Sequence, residues 1–239
     1  MYTVKDLLQC PKLSTGATFN GWLLWYGVGM TEYHKIETLF NRDMEGNKKL
    51  IEGDYRNECV EFLKDNQWTF TEKVDGTNVR IIWDGHKVAF GGRTANAQMP
   101  MPLMDKLQQL FGGNTNEELF EQKFNENQVV FYGEGYGGKI QSGSGYKQTQ
   151  DFILFDVRIG ETWLKRIDVE AIAKTFLLDV VPVVLTGTIE QAVEYVKTRP
   201  NSPIAEGEKL SEGLVGTPNA RLTDFRGNRI IVKIKECDF

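Results

Sequence analysis

The chain is poor in the residues that many enzyme classes require. Its 239 residues include only three cysteines and two histidines. Cys10, Cys59 and Cys237 are widely scattered, with neither metal-ligand spacing nor a disulfide framework, as expected of a chain kept in a reducing cytoplasm. His34 and His86 alone give little support to a zinc enzyme or a serine-type triad. No apolar run is long enough for a bilayer: the richest, Gly21–Met30, is short and interrupted by glycine, so no membrane association is expected. The opening residues hold no basic stretch followed by an apolar one, and no secretory signal is read there. No Gly-x-x-x-x-Gly-Lys-Ser/Thr or Gly-x-Gly-x-x-Gly sits between a strand and a helix, which argues against a kinase or a dinucleotide-binding dehydrogenase. Excess basic charge is missing too. The net charge of −5 does not suit a surface built for non-specific nucleic-acid binding, although a local basic cleft stays open.

What is present is an ordinary globular composition, 41% apolar and 26% charged, in a chain long enough for a sizeable core. The segment His34–Asn57 is polar and reads as helix plus loop. Strands are expected at Trp68–Val74, Asn78–Trp83 and Lys87–Phe90, with a turn at Asp84-Gly85. Pro100–Phe111 and Glu117–Phe124 read as helices, the first stopped by Gly112-Gly113. Gln128–Tyr132 and Phe152–Val157 are strand-like, separated by a glycine-, serine- and tyrosine-rich loop over Gly133–Gln150. Helices at Val169–Leu178 and Ile189–Thr198 flank a strand at Val180–Leu185, and Gly213–Val215 and Arg229–Lys235 are the last strands. Strands and helices mix without regular βαβ alternation, which favours α+β on antiparallel sheets.

Six places along the chain carry chemistry. Lys73 and Asp75 lead an apolar segment straight into Gly76-Thr77-Asn78. A lysine amine in such a setting can serve as a nucleophile, whereas an edge lysine beside a common Asp-Gly hairpin turn explains the same residues. In Arg229–Lys235 a period of two puts Ile230, Val232 and Ile234 on one face and Lys233 and Lys235 on the other. Two cations on one strand face suit a polyphosphate or phosphodiester, and they equally suit an edge protected against aggregation. Glu134 stands in a glycine-rich stretch after a strand, and Glu212 at the mouth of Gly213-Leu-Val215. Acids converging on one cleft would hold a divalent cation through oxygen ligands or its waters. Phe155 offers a stacking face for a purine, and Arg93, just past a strand, a bidentate phosphate anchor.

In chain order these features run Lys73-Val-Asp-Gly76, Arg93-Thr94, Gly133-Glu134, Phe155-Asp156, Glu212-Gly-Leu-Val215 and Lys233-Ile-Lys235. The series resembles the covalent nucleotidyltransferases, the superfamily of ATP- and NAD-dependent polynucleotide ligases and mRNA capping enzymes. It is most similar to the bacteriophage-type RNA ligases that seal nicks in duplex RNA, relatives of the trypanosome RNA-editing ligases. Glu72 directly before the lysine, Gly137-Gly-Lys-Ile-Gln141 after Glu134 and the Phe155-Asp156 pair carry that choice. The likeness runs from Tyr33 onward. It leaves 1–32 as a lead-in of unassigned role and makes 33–239 an adenylyltransferase domain, with no C-terminal accessory domain.

The resemblance implies an α+β nucleotidyltransferase fold, ATP-grasp-like, with two antiparallel sheets flanked by helices around an ATP cleft. It also implies ATP and Mg2+ (or Mn2+) as cofactors. Lys73 would attack the α-phosphate of ATP to give lysyl-AMP. Glu72 would read the adenine edge and Phe155 stack on the base. Asn78 and Arg93 would position phosphate, including the 5′-phosphate of the nick. Asp75, Glu134 and Glu212 would organise the metal and its waters, with Glu134 also near the ribose. Lys233 and Lys235 would hold the AMP phosphate and the departing pyrophosphate. Gln141 and Asp156 match further family positions. Thr217 stands where phage relatives place a lysine, and Arg221 is the nearest substitute. The implied protein is a cytoplasmic, monomeric, phage-type enzyme acting on nicked or broken RNA, including ends held on a DNA strand. A DNA or mixed-nick ligase, a capping-type guanylyltransferase and a non-catalytic nucleic-acid-binding protein on the same fold are the alternatives.

Overall fold

The computed structural model describes residues 32–46, 49–94, 97–141, 143–220, 222–224 and 226–239. Residues 1–31 of the lead-in, and Arg221, lie outside them. In chain order the strands are β1 (Glu37–Thr38), β2 (Phe40–Arg42), β3 (Leu50–Tyr55), β4 (Trp68–Glu72), β5 (Thr77–Trp83), β6 (Val88–Gly92), β7 (Val129–Tyr136), β8 (Asp151–Ile159), β9 (Thr162–Trp163), β10 (Val183–Gly187), β11 (Gly213–Pro218) and β12 (Val232–Lys235). The helices are α1 (Glu58–Phe62), α2 (Met101–Phe111), α3 (Asn114–Phe124), α4 (Arg166–Thr175) and α5 (Ile189–Lys197). Two compact units share them, so the protein is α+β. One, the Lys73 unit, takes 34–76, 136–149 and 181–239; the other, the Glu134 unit, takes 77–135 and 150–180 together with Tyr33.

In the Lys73 unit a five-stranded sheet runs in the order β1-β12-β11-β4-β10. Its pairs are antiparallel except for the two-residue parallel pair of β1 with β12. β4 alternates as a half-buried strand should: Trp68, Phe70 and Glu72 are buried while Thr69 and Thr71 are not. Against this sheet α5 lays Ile189, Ala192, Val193 and Val196, a spacing that forms one helix face. A capping box starts α5. Thr188 Oγ1 accepts the Gln191 N–H, and Gln191 Oε1 accepts the Thr188 N–H at 2.9 Å. β12 contributes Val232 and Ile234 to the same core, leaving Lys233 and Lys235 on the other face.

The Glu134 unit has a second five-stranded sheet, β6-β5-β7-β8-β9. Its core is aromatic. Trp83 of β5 stacks on Phe120 of α3 at 5.6 Å, and Phe131 of β7 meets Phe120 at 5.2 Å and Phe176 at 5.1 Å. Each buried ring of this kind contributes about 1.5–3 kcal/mol over its exposed state. The glycine-rich stretch expected to be loop begins as strand, because β7 runs on through Tyr136. Its glycines serve packing: a Cβ on Gly133 would lie 2.3 Å from the Phe152 ring, and one on Gly135 2.5 Å from Leu103.

His34–Asn57, expected as helix plus loop, instead forms β1, β2 and β3. Leu39 and Phe40 are buried, and Phe40 packs edge-on against Tyr55 at 5.0 Å, which ties β2 to β3. β3 is exposed along its middle, so its sequence carries no alternation to read. α4 starts and ends three residues before the expected span; Leu177, just beyond it, adopts φ +54° and cannot continue the helix.

Candidate active site

β4 ends at Glu72, and the next residues carry the chemistry. Leu214 of β11 lies opposite Glu72, and the Lys73 N–H donates to Gly213 O at 2.9 Å. Gly213 and Val215 face Lys235 and Lys233 across the β11–β12 ladder. Glu212 is fixed from behind by the Glu236 N–H, which donates to its carbonyl at 2.9 Å. Three side chains then meet. Glu212 Oε2 accepts from Lys73 Nζ, and Glu212 Oε1 accepts from Lys235 Nζ at 2.9 Å. The three are between 18% and 29% exposed, partly sheltered yet open to a ligand. Glu212 holds the Lys235 ammonium above the usual lysine range.

Glu72 is 2% exposed, and neither carboxylate oxygen has a hydrogen-bond partner. Burial pushes its pKa up to about 7, and the Ser202 and Ser211 hydroxyls and the Lys209 ammonium nearby pull it back only in part. Ser211 is committed elsewhere, donating to Gly213 O at 3.2 Å. A buried carboxyl so poorly satisfied is costly, which makes Glu72 a candidate ligand contact next to Lys73. On the other side of Lys73, the Asp75 N–H donates to the Tyr146 hydroxyl at 2.9 Å. Tyr146 is fully buried, which raises its phenol further above its ordinary value; Lys209 Nζ lies 4.5 Å from its ring centre.

In the Glu134 unit, Asn78 of β5 stands opposite Glu134 of β7, and Arg80 opposite Tyr132 on the same face. Asn78 Oδ1 is buried without a hydrogen-bond partner. Arg80 is fully buried and donates through Nε to Gly92 O at 2.7 Å. Phe155 is half-buried, with Tyr33 edge-on to its ring at 5.1 Å, and Asp156 accepts the Tyr33 hydroxyl at 2.6 Å. Arg93 is exposed just past β6, and Gln141 is exposed with φ +50°.

Of the expected site residues, Lys73, Glu212 and Lys235 therefore touch, with Glu72, Asp75 and Lys233 on the same strands or next to them. Asn78 and Glu134 pair within the other unit. Among the described residues no three His, Cys, Asp or Glu side chains gather as a metal cluster. The structure adds Tyr146, Lys209, Ser202 and Ser211, which no local pattern announces. The only trace in the sequence was the tyrosine content of the glycine–serine loop, where Tyr136 and Tyr146 look alike.

Comparison with known proteins bears on the fold and the family. Solved structures of Naegleria gruberi RNA ligase match the fold. A mutant with AMP and manganese has a TM-score of 0.58 at 17% identity, over 84% of this chain and 60% of that one. A form with pyrophosphate scores 0.57 at 18% identity over 85% and 61%, and an apo mutant 0.56 at 17% identity over 75% and 52%. This chain thus spans about half to three-fifths of those ligase chains. No curated protein sequence matches it. The RNA ligase profile matches residues 66–235, a span that opens just before β4 and closes on Lys235 and so contains every residue of the Lys73–Glu212–Lys235 contact. On that match over most of its length, the chain belongs to the RNA ligase family.

Proposed function

We propose that this protein is an ATP-dependent RNA ligase that joins 3′-hydroxyl and 5′-phosphate ends through lysyl-AMP on Lys73 and then an RNA-adenylate. The observation that carries the reading is the contact of Lys73 and Lys235 with the two oxygens of Glu212. Phosphoryl transfer depends on positioning and on neutralising charge, and this contact offers both. The Lys73 amine attacks once it has given up a proton, for which Glu212 is the acceptor already in contact. A bond forms from Nζ to the α-phosphorus, the bond from that phosphorus to the β-phosphate oxygen breaks, and pyrophosphate leaves. Lys233 and Lys235, on one face of β12, neutralise the phosphates.

The buried, partnerless Glu72 carboxyl and Asn78 carbonyl oxygen fit a nucleotide substrate: Glu72 would read the adenine edge and Asn78 a phosphate. Phe155 would stack on the base, and Arg93 would hold the 5′-phosphate. ATP, AMP, pyrophosphate and manganese are named with the Naegleria structures. Magnesium or manganese would come with the triphosphate, with Asp75, Glu134 and Glu212 as the acids offered to its waters.

The test is transfer of label from α-labelled ATP to the protein in magnesium. Wild type takes the label and Lys73→Ala does not; a labelled Lys73→Ala variant defeats the assignment. Labelling by GTP in place of ATP would make it a guanylyltransferase. Matched all-RNA, all-DNA and mixed nicks then identify the strand it seals.

A further inference from the structure

Lys73 and the two residues after it lie beyond the end of β4, where the sheet no longer dictates the backbone. Hydrogen bonds to distant parts of the chain hold this turn. The Lys73 N–H is bonded to Gly213 O in β11, and the Asp75 N–H to the Tyr146 hydroxyl, both at 2.9 Å. The second bond crosses 71 residues of sequence to a side chain with no other assigned purpose.

Tyr146 is firmly seated. Its N–H donates to Gly143 O at 2.9 Å, closing a 3₁₀ turn, and its carbonyl accepts the Glu206 N–H at 2.7 Å. Its ring meets Tyr136 edge-on at 5.7 Å, with the Lys209 ammonium over it. The ring is fully buried, so the hydroxyl cannot turn to water for a partner.

We infer that Tyr146 is a positioning residue for the nucleophile: its hydroxyl holds the Asp75 amide and thereby the turn that aims Lys73 at the α-phosphate. This rests on the ligase reading above. The Tyr146 oxygen accepts the Asp75 N–H through a lone pair, which the phenol offers in either protonation state, so the contact does not titrate away. Tyr146 touches no reacting atom in this role. It acts on the lysyl-AMP step, and joining of an already adenylated RNA end, which needs no free Lys73 amine, does not depend on it.

The experiment compares wild type with Tyr146→Phe, which keeps the ring and removes one oxygen. Single-turnover labelling by α-labelled ATP should slow about tenfold, the effect of leaving one buried N–H unpaired. The KM for ATP should stay within about twofold, and sealing of a chemically pre-adenylated RNA strand without ATP should be unchanged. An equal fall in both steps marks a purely structural tyrosine and overturns the inference; so does labelling at the wild-type rate. Wild-type protein that takes no label at all defeats the ligase reading and this inference with it. Amide exchange in wild type gives a readout independent of how the variant folds: the Asp75 N–H should be protected, and fast exchange there overturns the inference.

Discussion

The Lys73 ammonium is bound by Glu212, a carboxylate 139 residues further along the chain, and that carboxylate simultaneously binds Lys235. A proton acceptor and a second cation are thus delivered to the candidate nucleophile by one side chain. Removing it should cost more in chemistry than in folding, because all three groups are partly exposed and water screens the two ammonium groups left behind. Glu212→Ala should lower the rate of lysyl-AMP formation about 100-fold or more while reducing stability by about 1 kcal/mol. Labelling kinetics and urea midpoints measured on one preparation check the split. A variant that labels normally would show that the contact is only an ion pair.

Glu72 makes stability depend on pH in an unusual direction. Its folded pKa is raised to about 7 from an ordinary 4.5, so between those values the folded state holds a proton that the unfolded state has released. Stability must then fall as pH rises through that window, by on the order of 3 kcal/mol at most. Glu72→Gln, neutral at every pH, should lose this dependence. Urea unfolding at pH 5 and pH 8.5 should show wild type weakening relative to the variant at the higher pH. Parallel behaviour of the two proteins would rule out a raised Glu72 pKa.

What was legible in the sequence was what alternation and order encode. The runs Trp68–Val74 and Arg229–Lys235 announced strands, and the alternation of the second put Val232 and Ile234 on one face and Lys233 and Lys235 on the other. The meeting of Lys73, Glu212 and Lys235 came from the order of motifs and the family they resemble, since no local pattern links residues so far apart. β3 was illegible because its exposed face carries no periodicity, and β7 was cut short because glycines needed for close packing look the same as loop glycines. Tyr146 was invisible because its role is defined by an amide 71 residues away.

Gly213 follows Glu212 and supplies the carbonyl that holds the Lys73 N–H, and its backbone tolerates no side chain. Its φ is +143°, and a Cβ there would lie 2.0 Å from Ile234 O in the neighbouring strand. Gly213→Ala should destabilise by about 3 kcal/mol or more and displace Lys73 with it. Gly53 is the control. At φ +86° with nothing within 4 Å of a Cβ, Gly53→Ala carries backbone strain alone, about 1–2 kcal/mol. Thermal unfolding of the two variants should rank them in that order, with labelling lost only at 213.

Asn78 poses the opposite relation between stability and function. Its side-chain oxygen is buried without a hydrogen-bond partner, a state that costs about 1–3 kcal/mol. Truncation removes that cost along with a few packing contacts, so Asn78→Ala should leave stability unchanged or raise it by up to about 1 kcal/mol. If the oxygen is kept to orient a phosphate-bearing ligand, the same change should slow ligation about tenfold or more. Melting temperature and nick sealing, measured side by side, distinguish the cases. A less stable, fully active variant would mean that Asn78 serves the fold, whereas a protein that melts no lower and seals more slowly is the behaviour of a group held unsatisfied for its substrate.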